Sequence, residues 1–316
     1  MTEGTRTKSA SRVTERNSFE RKIAMSQTPS VHRAEALIEA LPFIQKFRGR
    51  TFVIKYGGSA MEDEHVIERL LRDIVFLEAV GINPILVHGG GKAITDRMRE
   101  AGLKAKFVNG LRVTDASAIK IVEEVLDTVI NPRLVGRIAE FSGQAIGISG
   151  REVFIAKRLP PQTDAHNVAV DLGYTGEVVG LKIDKVQEAL NAEKVPVISP
   201  ISQDADGTVY NVNADVAAGA ISGALQATKL IYLSDVPGIM RVPGEKESMI
   251  PSVNREMIER LIEDEVIEGG MVPKVKSALS AIEKGVGKVH LIDGRVPHSL
   301  LIEIFTNAGI GTEIVA

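Results

Sequence analysis

Two short stretches concentrate residues able to handle phosphate. Lys55-Tyr56-Gly57-Gly58-Ser59 follows the apolar run Thr51–Ile54, and His88-Gly89-Gly90-Gly91-Lys92 follows Ile85–Val87. Glycines at a strand's carboxyl end let backbone N–H groups approach phosphate oxygens without a Cβ in the way. Each cluster then enters a helical pattern, whose N-terminus favours anions. A single Gly-Gly pair would be an ordinary tight turn. Two clusters at equivalent places, with a lysine among them, point to phosphate.

Neither cluster matches the common nucleotide fingerprints. The P-loop needs Gly, four residues, then Gly-Lys-Ser/Thr; here Leu86 and Ala93 break it. The dinucleotide pattern G-x-G-x-x-G fails because Gly91 is followed by Lys92, Ala93 and Ile94. Thiol chemistry is excluded, since the 316 residues contain no cysteine. A net charge of −3 gives no pull toward nucleic acid or anionic membrane. No apolar run approaches the roughly 20 residues of a membrane helix, and a cytoplasmic enzyme is expected.

Short apolar strands must position these turns. They are Thr51–Tyr56, Ile85–His88, Ala145–Ser149, Val178–Ile183, Val195–Ser199, Leu230–Ser234 and Val289–Ile292. Helical patterns alternate with them at Met61–Val80, Ala93–Ala101, Ala116–Phe141, Asp184–Ala192, Ala214–Ala227, Asn254–Asp264, Val272–Lys284 and Pro297–Asn307. The alternation predicts an α/β fold: an open, mainly parallel sheet sandwiched by helices. Residues 152–182, with the Gly-rich turn Asp171–Gly176, read instead as antiparallel hairpins forming a lid. A boundary between two lobes, 48–200 and 201–316, is expected where Ser, Asp and Gly cluster at Pro200–Gly207. Residues 31–47 carry apolar positions at helical spacing and predict an amphipathic helix bent near Pro42. Residues 1–30 are polar and aperiodic, a disordered tail; Glu3, Glu15 and Glu20 speak against a transit peptide.

To the glycine clusters are added Asn109–Thr114 (NGLRVT), Asn211–Asp215 (NVNAD), Leu233–Gly238 (LSDVPG) and Gly269–Lys274 (GGMVPK), in this order. The set resembles the acetylglutamate kinases of the amino acid kinase superfamily, from Val31 to Ala316. The resemblance implies an eight-stranded sheet, an N-terminal lobe for the amino acid and a C-terminal lobe for ATP. It implies transfer of the γ-phosphoryl group of ATP, with Mg²⁺, to the side-chain carboxylate of N-acetyl-L-glutamate, a step of arginine biosynthesis. A carboxylate is already ionised at neutral pH, so such chemistry needs fixed positive charge rather than a general base. Lys55, Lys274 and Asp215 would form the catalytic set, with Asp215 holding both ammonium groups. Gly57, Gly58, Gly90 and Gly91 would donate backbone N–H groups to the phosphoryl group and acceptor carboxylate. Arg112 would grip the α-carboxylate and Asn211 the acetamido group, while His88 orients the glycine loop. Ser234, Asp235 and Gly238 resemble the nucleotide surroundings, with a plain Pro-Gly turn equally weighted. Mg²⁺ would be held through phosphates and waters, and no metal-ligand cluster is visible.

The same resemblance extends to relatives inhibited by L-arginine that form homohexamers, trimers of dimers interlaced by the N-terminal helix. His290, Glu303 and Gly309 would then line an arginine pocket. Two alternatives stay open: another kinase of the superfamily, acting on aspartate, glutamate, carbamate or a nucleotide, and a non-catalytic amino-acid or nucleotide sensor on the same fold.

Overall fold

The computed structural model describes residues 29–316 apart from Ser59, Ala60, Glu62, Ala165, Pro243 and Ala308. The tail expectation for residues 1–28, and the motif positions Ser59 and Ala308, lie outside the described residues. Helix α1 (Pro29–Phe47) is followed by β1 (Thr51–Tyr56), α2 (Glu64–Ala79), β2 (Asn83–His88), α3 (Gly91–Glu100), β3 (Phe107–Val108) and β4 (Leu111–Arg112). A long helical stretch comprises α4 (Ala116–Glu123), a π-helical segment (Glu124–Ile130) and α5 (Asn131–Glu140). Next come β5 (Ala145–Ile148), β6 (Phe154–Arg158), β7 (Gln162–Thr163), β8 (Ala169–Val170), β9 (Gly176–Leu181) and α6 (Asp184–Asn191). The chain continues through β10 (Val195–Ile198), β11 (Ile201–Gln203), β12 (Val209–Asn211), α7 (Ala214–Ala224) and β13 (Lys229–Ser234). It ends with β14 (Ser252–Val253), α8 (Arg255–Glu263), α9 (Met271–Glu283), β15 (Lys288–Asp293), α10 (Ser299–Phe305) and β16 (Thr312–Ile314).

Eight strands form one sheet in the order β14-β16-β15-β13-β1-β2-β10-β5, and β15/β16 is its antiparallel pair. The central strands are buried on both faces, as continuous Val/Ile/Leu runs require when helices cover both sides. Each such side chain, fully buried, contributes about 1.5–3 kcal/mol. The parallel registers align Tyr56 with His88 and with Leu233, and Ser234 with Asp293. The carboxyl ends of four strands therefore open on one edge, where open α/β sheets bind ligands.

The hairpin lid is present: β6 pairs antiparallel with β9, and β7 with β8. It joins a second sheet, β12-β11-β6-β9, whose strands β11 and β12 are too short to register as a periodic pattern. The predicted helix Ala116–Phe141 is a composite. Pro132 has no N–H to donate, and the preceding π segment shifts the ladder ahead of it. Helix α1 runs through Pro42, and its Leu37 and Ile38 are 63% and 68% exposed. The helix as far as Lys46 is one compact unit and Phe47–Ala316 another. Among the described residues no helix is long and apolar enough to cross a membrane.

Candidate active site

The two glycine turns meet back to back. Gly89 N donates to Tyr56 O at 2.7 Å, and a Cβ on Gly89 would stand 3.4 Å from Gly57 Cα. Gly57 has a more specific constraint: a Cβ there would lie 2.5 Å from Lys55 Nζ. Glycine thus clears the path along which the Lys55 side chain turns over the strand end. Gly58 has φ +75°, a conformation that glycine adopts without strain. Gly90 sits against Leu126 and Ile130, whereas Gly91 faces open space. Packing explains the first glycine and not the second.

His88 is fully buried behind this loop. Its Nδ1–H donates to Gly89 O at 2.9 Å, and its Nε2 accepts from Asn131 Nδ2 at 3.3 Å. A carbonyl cannot donate, so this tautomer is the one that satisfies both contacts. Burial lowers its pKa to about 4, and the ring is a neutral brace at physiological pH.

Across the cleft, α7 begins at an Asn213 cap whose side chain accepts from Asp215 N and Val216 N. That cap aims the Asp215 carboxylate at two lysines. Lys55 Nζ lies 2.9 Å from its Oδ1, and Lys274 Nζ donates to its Oδ2 at 2.8 Å. All three residues are 8% exposed. Burial alone would raise the Asp215 pKa, but Lys55 and Lys274 outweigh it and hold the carboxyl at about 2. Burial lowers the Lys274 pKa against the pull of Asp215. The cluster carries two positive charges and one negative, leaving one net positive charge in a site screened from water.

The carboxylate-ready group at the other end is Arg112. It projects from the β3–β4 hairpin and is 6% exposed. Its Nη2 donates to Gly91 O and Thr95 Oγ1, both at 2.8 Å, and its guanidinium lies 4.7 Å from the Phe107 ring centroid. Thr114 and Thr175 donate to its carbonyl at 3.0 and 2.7 Å and fix the hairpin. Asn211 Nδ2 donates to Thr114 Oγ1 at 3.2 Å. Among the described residues no carboxylate pairs with Arg112. A buried cation with no counter-anion is costly unless a ligand supplies one. Lys55, Gly57, Gly58, Gly90, Gly91, Arg112, Asn211 and Asp215 line one cavity of about 190 Å³.

Ser234 and Asp235 stand at the end of β13 on the same edge. A Cβ on Gly58 would come within 4.0 Å of Asp235 Oδ2. Gly238 is turned elsewhere: a Cβ there would meet Thr312 Oγ1 at 2.5 Å, so its missing side chain serves packing against β16. Among the described residues no group of three His, Asp or Glu side chains could hold a metal ion.

The remaining named positions form a separate buried cluster. His290 Nδ1 is 2.6 Å from Glu303 Oε1, Lys229 Nζ is 3.0 Å from His290 Nε2, and Ile310 N donates to Glu303 Oε2 at 2.8 Å. Gly309 has φ +60°, and a Cβ there would stand 2.9 Å from Glu303 Oε2. Burial lowers the His290 pKa; burial would raise that of Glu303, but the His290 hydrogen bond and Ile310 N bring it down. A neutral imidazole therefore links a buried ammonium to a buried carboxylate. Lys229 was not legible in the sequence: it opens a strand, and only the register Ile231↔His290 places it beside the ring.

Residues 50–293 match the model of the amino acid kinase family. The chain is 48% identical over 290 residues to an acetylglutamate kinase of Akkermansia muciniphila, covering 91% of this chain and 97% of that protein. It is 46% identical to one of Methanocaldococcus jannaschii, covering 92% and 99%. Among solved structures it superposes on the N-acetylglutamate synthase of Neisseria gonorrhoeae with a TM-score of 0.78 and 25% identity. That match covers 90% of this chain and spans 63% of the synthase. A carbamate kinase of Giardia shares the fold, with a TM-score of 0.61 at 13% identity over 84% of this chain and 99% of that one.

Proposed function

The chain belongs to the amino acid kinase family and, within it, to the acetylglutamate kinases, and on that premise we propose that it phosphorylates the side-chain carboxylate of N-acetyl-L-glutamate with MgATP. The observation that carries this reading is the separation of two positive groups along one cavity. At one end a buried guanidinium has no carboxylate partner among the described residues; at the other, two ammonium groups share one carboxylate. An acceptor with an α-carboxylate and a side-chain carboxylate presents an anion to each end. Asn211, a neutral amide, suits an acylated nitrogen, which has lost its charge; a free ammonium would call for a carboxylate in its place.

The acceptor oxygen attacks the γ-phosphorus in line as the bond to the β–γ bridging oxygen breaks, giving an acyl phosphate and ADP. No proton moves, because the nucleophile is already ionised. The residues lower the barrier by charge and position: Lys55 and the amides of the glycine turns meet the transferring group, and Lys274 meets charge building on the leaving side. Asp215 keeps the two ammonium groups from repelling each other. Mg²⁺ bound with ATP would shield the phosphates and would be held chiefly through phosphate oxygens and waters. In this reading residues 48–200 form the amino-acid lobe and 201–316 the ATP lobe, with Ser234 and Asp235 facing the nucleotide. The decisive experiment traps acyl phosphate as its hydroxamate with MgATP and a panel of acceptors. N-acetyl-L-glutamate should exceed L-glutamate, L-aspartate and carbamate by at least a hundredfold; equal rates with a free amino acid would overturn the assignment.

A second element of the reading concerns control. The Lys229–His290–Glu303 cluster and the left-handed Gly309 beside it support a guanidinium-binding pocket, in which Glu303 meets the side chain of L-arginine. The exposed Leu37 and Ile38 support docking of α1 on other copies in a hexamer. Arginine would then inhibit by binding an inactive arrangement of the ring more tightly, as feedback on arginine biosynthesis in the cytoplasm. Light scattering combined with an arginine titration tests this: a dimeric chain indifferent to millimolar arginine would remove the regulatory reading and leave the kinase.

A further inference from the structure

Beneath the ammonium pair lies a layer of hydroxyls that the chemistry above does not use. Tyr232, fully buried on β13, lies with its hydroxyl 3.0 Å from Ser277 Oγ and 3.2 Å from the backbone carbonyl of Asp215. Ser277 Oγ is 2.9 Å from that same carbonyl. A carbonyl only accepts, and each hydroxyl has one proton. The order Tyr232 to Ser277 to Asp215 O uses both protons. Burial, then Asp215, pushes the Tyr232 hydroxyl up, so it stays a donor.

Three elements are thereby tied at one point: β13 through Tyr232, α9 through Ser277 and α7 through Asp215. Ser277 stands one turn beyond Lys274 on α9, and the Lys274 ammonium lies 5.1 Å from the Tyr232 ring centroid. Gly219, four residues after Asp215 on α7, makes the approach possible. A Cβ there would stand 2.6 Å from Ser277 Oγ and 3.5 Å from Tyr232 Oη. Ala217, Ala218 and Ile221 on α7 and Val275 and Ala278 on α9 belong with Tyr232 to the buried apolar core. Such a setting would accept aliphatic side chains without the desolvation cost of two hydroxyls. What the hydroxyls add is register: they fix α9 against α7 and so set where Lys274 Nζ meets Asp215 Oδ2.

We propose that Tyr232 and Ser277, admitted by Gly219, are positioning residues for phosphoryl transfer, acting through Lys274 by fixing α9 against α7, without touching substrate. This rests on the role given to Lys274 above. Ser277→Ala, Tyr232→Phe and Gly219→Ala are made in the full chain and again in a Lys274→Ala background. Each is expected to lower kcat by about tenfold, well within the loss that a misplacement of about 1 Å can cause, with KM for N-acetyl-L-glutamate within twofold. Gly219→Ala crowds Ser277 Oγ at 2.6 Å and carries an overpacking cost, so thermal unfolding is followed beside kcat, and the comparison between backgrounds separates positioning from lost stability. In the Lys274→Ala background each should cost less than twofold, because the group being positioned is gone. An equal factor in both backgrounds, or a kcat within twofold of the parent, overturns the proposal and leaves the kinase reading standing. A Lys274→Ala protein with the parental kcat overturns both.

Discussion

Replacing Asp215 by asparagine keeps the shape of the site and removes the one negative charge between two buried ammonium groups 2.9 and 2.8 Å away. Two opposite unit charges at that separation attract by about 6 kcal/mol at an effective dielectric of about 20. Losing one partner of a buried ion pair costs about 3–5 kcal/mol, a smaller figure because the site relaxes. Burial lowers the Lys274 pKa against the pull of Asp215. Lys274 must be protonated to act, so kcat falls as pH rises through its pKa, and Asp215→Asn, which removes that pull, moves the alkaline limb to lower pH. Direct chromatographic measurement of ADP formed between pH 6 and 10 reads the limb without coupling enzymes. At neutral pH, kcat should drop by roughly 10²–10³, with KM for the acceptor little changed. An alkaline limb displaced by less than half a unit would refute the charge-sharing account of the triad. The acid side offers a control: the parent carboxyl is held near 2, so the triad itself causes no loss of activity down to about pH 4.

Lys55→Ala and Lys274→Ala should each reduce kcat by roughly 10²–10³, the scale for one lost transition-state donor, measured by the same assay. Arg112→Lys should raise KM for N-acetyl-L-glutamate about tenfold and lower kcat as well, since an ammonium cannot hold Gly91 O, Thr95 Oγ1 and a carboxylate in one plane. Gly90→Ala should lower thermal stability by about 1–3 kcal/mol through overpacking, because its Cβ would come within 2.7 Å of Leu126 and 2.8 Å of Ile130; Gly91→Ala, which meets nothing, should instead spare stability and impair acceptor binding in a titration. Glu303→Ala should weaken arginine inhibition by at least tenfold without changing the mass seen by light scattering, whereas removing residues 1–47 should lower that mass.

Much of this was legible because the site is built where strand periodicity ends. The apolar runs Thr51–Tyr56 and Ile85–His88 announce buried parallel strands, and the glycines after them can serve only a turn or a ligand. The contact of Asp215 with Lys55 and Lys274 follows from the family resemblance alone: the partners are 160 and 59 residues away and meet through sheet order, which no local spacing reveals. The π segment escaped notice because its apolar spacing imitates an α-helix, and only Pro132 hinted at a changed ladder. Strands such as β3, β4, β11 and β12 have two or three residues, too few for a period of two to show. At Gly238 the motif leaves a nucleotide turn and a plain Pro-Gly turn evenly weighted; the close approach of Thr312 on the distant β16, which also requires glycine there, lies beyond local sequence.

The division of labour among the glycines follows from what a Cβ would meet. Gly57 makes room for a charge, Gly90 for a hydrophobic wall and Gly219 for a hydroxyl, whereas among the described residues nothing stands within 4 Å of where a Gly91 Cβ would be. A bare backbone at a cavity, beside a guanidinium with no carboxylate partner among the described residues, points to an anionic ligand from two independent directions. The Arg112 Nη2 contact to Gly91 O joins them: the residue that would hold the α-carboxylate also holds the loop that would meet the phosphoryl group. Acceptor binding at one end is therefore coupled to loop geometry at the other, through the direct hydrogen bond of 2.8 Å and through Thr95 Oγ1, which accepts from Arg112 and donates to Gly91 O at 2.8 Å. An acceptor lacking the α-carboxylate should accordingly lose kcat as well as affinity. 4-Acetamidobutanoate, which keeps the acetamido group and the side-chain carboxylate and lacks the α-carboxylate, reads this directly, and a kcat equal to that of N-acetyl-L-glutamate, at any KM, would show that the two ends act independently.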